Sequence, residues 1–167
     1  MKKTLVLIRH AKSSWTEAGL TDRERPLNER GKRDAPFMAR RLAESGLKVD
    51  LIVSSPANRA LTTAKHYADA LGVAHDTIRI EPTIYEADVR QLMDAVNALD
   101  DAYSNVLIFG HNPGFSYLIQ YLNGSMLHMP TNGVAHLEIQ TSSWAHVGTG
   151  SATLVDFDYP KKHLPAL

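Results

Sequence analysis

Thr4-Leu5-Val6-Leu7-Ile8-Arg9-His10-Ala11-Lys12 is the stretch whose reading decides the fold. Five apolar or β-branched residues run without polar interruption and stop at an arginine and a histidine. A continuous run of this kind reads as a strand buried on both faces of a parallel sheet. In such sheets ligands collect outside the carboxyl ends of the strands, which is where Arg9 and His10 fall.

Working outward, the chain has 167 residues, 44% hydrophobic and 22% charged, a size that suits one domain over 1–167 with a sizeable core. Lysine plus arginine balances aspartate plus glutamate at 18 each, so no global field attracts nucleic acid or an anionic membrane. Any positive site must be local. With no cysteine, a disulfide scaffold, a thiolate nucleophile and a Cys-based metal centre are excluded. The apolar run behind Lys2 and Lys3 is too short for a signal peptide or a spanning helix, so the expectation is a soluble, cytoplasmic protein.

Beyond a polar loop from Lys12 to Pro26, Asn28 reads as an N-cap, and Ala35, Met38, Ala39, Leu42 and Ala43 mark a helix stopped by Gly46. Pro36 inside it removes one hydrogen bond and predicts a kink. A second strand over Val49 to Val53 leads to Ser55 as N-cap and Pro56 as first residue of a helix over Ala57 to Leu71. A short strand near Ile78 follows. Asp88 and Gln91 form a capping box for a third helix. Val106 to Phe109 is another buried strand, and Asn112-Pro113 opens a helix over Phe115 to Leu122. Two late strands, Val134 to Ile139 and Ala152 to Phe157, suit an antiparallel pair at one side. The alternation predicts an α/β fold, a three-layer α/β/α sandwich around a mostly parallel central sheet.

Parallel strands bring Arg9 and His10, Arg59 and His111 to one edge. Arg59 is the informative member. A cation in the first turn of a helix opposes the macrodipole unless an anion shares the site. Two arginines, two histidines and a helix N-terminus suit a phosphoryl group. A neutral histidine nitrogen can in addition act as nucleophile.

Arg9-His10, Ser55-Pro56-Ala57-Asn58-Arg59-Ala60, Tyr85-Glu86 and Gly110-His111 occur in an order that resembles the histidine phosphatase superfamily. Asp22-Arg23-Glu24-Arg25-Pro26-Leu27 followed by Gly31, and the turn Gly110-His111-Asn112-Pro113-Gly114, resemble its SixA-like phosphohistidine phosphatase branch. The likeness implies a phosphoglycerate mutase-like fold. It implies His10 as the phosphorylated nucleophile and Arg9, Arg59 and His111 as the phosphate pocket, with no metal or organic cofactor required. One departure stands out: the family's Arg-His-Gly is Arg9-His10-Ala11 here, so position 11 is expected to have ordinary φ.

Glu86 is a candidate general acid, with a water-exposed carboxylate at a helix start as the plain alternative. Ser13, Ser14 and Asn112 are candidate phosphate donors. Trp15 is read as a partly buried aromatic that packs the loop down, with a wall of the cleft as the alternative. The remaining histidines (His66, His75, His128, His136, His146, His163) show no convergent spacing. No His-Glu-x-x-His or Gly-x-Gly-x-x-Gly pattern supports a zinc hydrolase or a dinucleotide fold. The expected partner is a phosphorylated protein, with inorganic phosphate as product and neither nucleic acid nor membrane involved. The alternative is a small phosphate ester hydrolysed with Glu86 as acid. A phospho-ligand binding module without turnover is a third reading, which the retention of His10 opposes.

Overall fold

In the computed structural model, which describes residues 1–165, the opening run becomes strand β1, Lys3–Arg9, at the interior of a six-stranded sheet. The other strands are β2 (Leu51–Ser54), β3 (Arg79–Ile80), β4 (Asn105–Gly110), β5 (Val134–Ile139) and β6 (Ala152–Asp158). Their spatial order is β3-β2-β4-β1-β5-β6. The first four in that order run parallel, and β5 pairs antiparallel with β1 on one side and β6 on the other. Four helices cover the sheet among the described residues: α1 (Glu29–Glu44), α2 (Asn58–Leu71), α3 (Val89–Asn97) and α4 (Gly114–Asn123). The three-layer α/β/α architecture is thus as the alternation of elements predicts.

The period-2 geometry of β1 explains why its sequence is apolar throughout. Leu5 and Leu7 face a core shared with Leu92, Val96, Phe115 and Leu118 of α3 and α4. Val6 and Ile8 face the opposite core, shared with Met38 and Ala39 of α1 and Ala64 and Tyr67 of α2. All four strand residues have no accessible surface. At about 1.5–3 kcal/mol per large apolar side chain, this strand is a main contributor to stability. No helix of the described chain is long and apolar enough to cross a membrane.

Helix starts are where sequence and structure differ. Asn28 caps α1 as expected, accepting the Gly31 N–H at 2.9 Å, and the Asp88–Gln91 capping box is present on α3. The helix α1 continues through Pro36 to Glu44 without interruption. Ser55, however, is not the N-cap of α2. Its Oγ accepts the Ala57 N–H at 3.2 Å and meets His111, while Ala57 stays extended and the helix begins at Asn58. Similarly α4 begins at Gly114, with Asn112 Oδ1 accepting the Ser116 N–H at 3.1 Å.

Candidate functional site

The carboxyl ends of β1, β2 and β4 open into a cleft of about 890 Å³. Arg9, His10, Ser13, Arg59, Glu86, His111 and Asn112 all line it. Residues that lie far apart in the chain therefore meet around one space. The His10 and His111 rings are 5.3 Å apart between centroids, and His111 is met edge-on by Tyr85 at 5.6 Å.

His10 is held from several directions. Its N–H donates to the Gly110 carbonyl, its own carbonyl accepts the Asn132 N–H, and the ring Nδ1 lies 2.7 Å from the Ala11 carbonyl oxygen. A carbonyl can only accept, so Nδ1 carries the hydrogen and Nε2 is left with a free lone pair. Burial is the main cause that lowers its pKa to about 3, opposed by the Ala11 hydrogen bond and assisted by His111 and both arginines. His111 is lowered to about 4 by burial first and Arg59 second. At neutral pH both rings are neutral. Ser55 Oγ sits 2.7 Å from His111 Nε2. That oxygen also accepts from Ala57 N–H, and in the tautomer in which its own hydrogen goes to His111 Nε2, His111 Nδ1–H is a donor.

The arginines share a pattern. Arg9 donates Nη1 to the Met129 carbonyl at 2.9 Å; Arg59 donates Nη1 to the Asp22 carbonyl at 2.7 Å and Nη2 to Asp22 Oδ2 at 3.0 Å. In both, Nε–H is buried without a hydrogen-bond partner among the described residues. A buried unpaired donor costs about 1–3 kcal/mol, more on a charged group, and an entering oxyanion removes that cost. Burial and the neighbouring Arg59 also lower the Arg9 pKa.

The family model described as histidine phosphatase superfamily (branch 1) matches residues 5–94, more than half of the chain. The chain belongs to the histidine phosphatase superfamily. An uncharacterized protein of Mycobacterium tuberculosis is 31% identical over 166 residues, covering 92% of this chain and all of that one. Among solved structures, a protein assigned as the phosphohistidine phosphatase SixA of Agrobacterium tumefaciens superposes with a TM-score of 0.79 at 27% identity, covering 95% and 98% of the two chains. The corresponding SixA assignment from Nakamurella multipartitia gives 0.81 at 24%, covering 96% and 97%. This histidine phosphatase is SixA-like, with the phosphoglycerate mutase-like fold.

Two details of the histidine phosphatase motif gain physical reasons. Ala11 is fully buried and is not among the residues with positive φ, so alanine there is unstrained. Gly31 is required by close approach: a Cβ would stand 2.1 Å from the Lys12 carbonyl oxygen in the loop after His10. Ser13 is buried and accepts from Arg25 Nη1 at 2.9 Å. Ser14 lies outside the cleft lining, its Oγ engaged with Thr16. Trp15 is not packed down: it is 74% exposed and stacks against the Arg25 guanidinium at 3.4 Å, as one wall of the cleft. Glu86 is exposed at the rim with φ of 54°.

Sequence reasoning gave no role to Asp22, Arg25, Tyr85 or Asn132. Asp22 supplies the anion that Arg59's place in the first turn of α2 demanded. Asn132 is buried, with φ of 53°; its side-chain amide donates to the Tyr67 hydroxyl at 2.6 Å, and its backbone N–H to the His10 carbonyl. The advance signal was membership of quoted motifs, the SixA-like segment for Asp22 and Arg25 and the Tyr85-Glu86 pair for Tyr85; Asn132 had none.

Proposed function

We propose that this protein is a phosphatase that works through a covalent phosphohistidine on His10, with phosphohistidine of a protein as its substrate. The observation that carries the reading is the neutral, Nδ1-anchored His10 ring beside two arginines whose buried Nε–H groups lack partners among the described residues.

In the first step His10 Nε2 attacks phosphorus, and the bond from phosphorus to the leaving nitrogen breaks. The departing imidazole leaves with the electron pair of that bond and is neutral because its other ring nitrogen already carries a proton in the bound substrate. Arg9, Arg59 and His111 Nδ1–H hold the equatorial oxygens as charge moves through the transition state. In the second step water attacks the same phosphorus and the P–Nε2 bond breaks. Inorganic phosphate leaves, one water proton is released, and His10 returns to its neutral state. The anchored tautomer keeps Nε2 as the nucleophile in every cycle.

A neutral imidazole is a good leaving group, so this substrate places little demand on an acid. The exposed Glu86 carboxylate at the rim favours a second reading, hydrolysis of small phosphate monoesters, whose alkoxide needs a proton. Assaying the pure protein against phosphohistidine peptides and a panel of alkyl phosphates, beside the His10→Ala variant, decides between them. The proposal expects phosphohistidine to have the highest kcat/KM and the variant to be inactive on every substrate. Undiminished turnover by His10→Ala would overturn it.

A further inference from the structure

The Arg59 side chain is only 7% exposed, yet both of its terminal nitrogens are taken by one residue on a surface loop, Asp22. The Asp22 carboxylate reaches further. Oδ2 also accepts the Tyr85 hydroxyl, and Oδ1 accepts Arg25 Nε at 3.1 Å. Tyr85 in turn presents its ring at 89° to His111. Arg25 closes the clasp by donating Nη1 to Ser13 Oγ and to the Ser14 carbonyl. One carboxylate thus connects two of the pocket's side chains to the loop that follows His10.

We propose that Asp22 is a positioning residue for phosphoryl binding: it holds the end of the Arg59 guanidinium and the Tyr85 hydroxyl, so that Arg59 Nε–H and the His111 ring stand ready for the phosphoryl oxygens. The inference rests on the reading of Arg9, His10, Arg59 and His111 as the phosphoryl pocket. The competing physical effect is repulsion, since Asp22 is an anion near the place where an oxyanion binds. Geometry outweighs it here. The Asp22 side chain is 42% exposed and paired with two arginines, so its field is screened by water and by those cations. Arginine is a long side chain that loses much rotamer freedom on binding unless it is held beforehand, and Asp22 does the holding.

The test is calorimetric titration with tungstate, a tetrahedral oxyanion, alongside kinetics on p-nitrophenyl phosphate. Asp22→Ala is expected to weaken tungstate binding and raise KM about ten-fold, with kcat changing less. Asp22→Asn, which keeps an oxygen acceptor, should restore part of the loss, and it serves if the alanine variant folds poorly. In an Arg59→Ala background Asp22→Ala should cost clearly less than in the wild type, only the part carried through Tyr85 remaining, a non-additivity that general damage to the fold does not produce. Tighter tungstate binding in both Asp22 variants would overturn the proposal, as would unchanged binding or a cost that persists in full without Arg59. Titration needs no turnover, so this result stands apart from the fate of the His10 mechanism.

Discussion

The ring nitrogen Nδ1 of His10 and the carbonyl oxygen of Ala11 lie 2.7 Å apart, so the residue that replaces the family's glycine orients the ring through its backbone. Position 11 has no positive φ, and its methyl group is buried with Leu27 and Ala35. Ala11→Gly therefore removes packing and adds chain entropy without changing the hydrogen bond. It should cost about 0.5–1 kcal/mol of stability from backbone freedom, plus about 0.8 kcal/mol for the lost buried carbon. Denaturant unfolding checks the loss, and KM should stay within two-fold, about the reproducibility of such a constant.

Both pocket histidines have folded pKa values below that of a free imidazole, about 3 for His10 and about 4 for His111. The free enzyme therefore keeps His10 unprotonated through the mildly acidic range. After correction for substrate ionisation, kcat/KM should show no acid limb near 6.5, the value for an exposed histidine. An acid limb at that value would mean that one of these rings is charged when the enzyme is at rest.

The same shifts fix a stability trend. With folded values depressed, the unfolded chain binds more protons than the native one between about pH 3 and 6.5, so stability rises with pH across that window. It is lost progressively as pH falls from 6.5. Replacing both rings with glutamine should flatten the slope of unfolding free energy against pH there, which denaturant melts at several pH values measure.

How much of this was legible in the sequence depends on how local each signal was. The β1 run, the caps at Asn28 and Asp88 and the late antiparallel strands rest on neighbouring residues, and each was read correctly. The start of α2 was misplaced because the Ser55 hydroxyl goes to His111, 56 residues away. The work of Asp22 was invisible for the same reason: its partners Arg59 and Tyr85 are 37 and 63 positions distant, and an acidic residue in a polar loop looks solvated. For Trp15 the packed-down reading fails and the alternative, a wall of the cleft, holds, because its partner is a guanidinium and not an apolar pocket.

Glu86 offers a clean division between substrate classes. Its carboxylate is exposed and belongs to the cleft lining. Glu86→Gln should leave phosphohistidine peptide turnover within about two-fold, and slow alkyl monoesters about 10²-fold if it protonates their leaving oxygen. Steady-state kinetics on the two substrate types reads this directly.

Gly31 tests the fit of the loop that follows His10. A methyl there collides with the Lys12 carbonyl at 2.1 Å, a backbone atom that can yield only by moving the loop behind His10. Gly31→Ala should lower stability by about 1–3 kcal/mol, as overpacking does, and reduce kcat/KM more than distant surface changes do. Thermal melts and kinetics on one preparation give both.

The claim on which the account rests is that phosphorus becomes bonded to Nε2 of His10. Rapid alkaline, denaturing quench of the enzyme with radiolabelled phosphohistidine peptide, followed by peptide mapping under alkaline conditions, measures it most directly. The account predicts an acid-labile, base-stable phosphoryl group on His10 of the wild-type chain and none on the His10→Ala chain. A label on any other residue, or catalysis that persists while His10 never carries one, would contradict it.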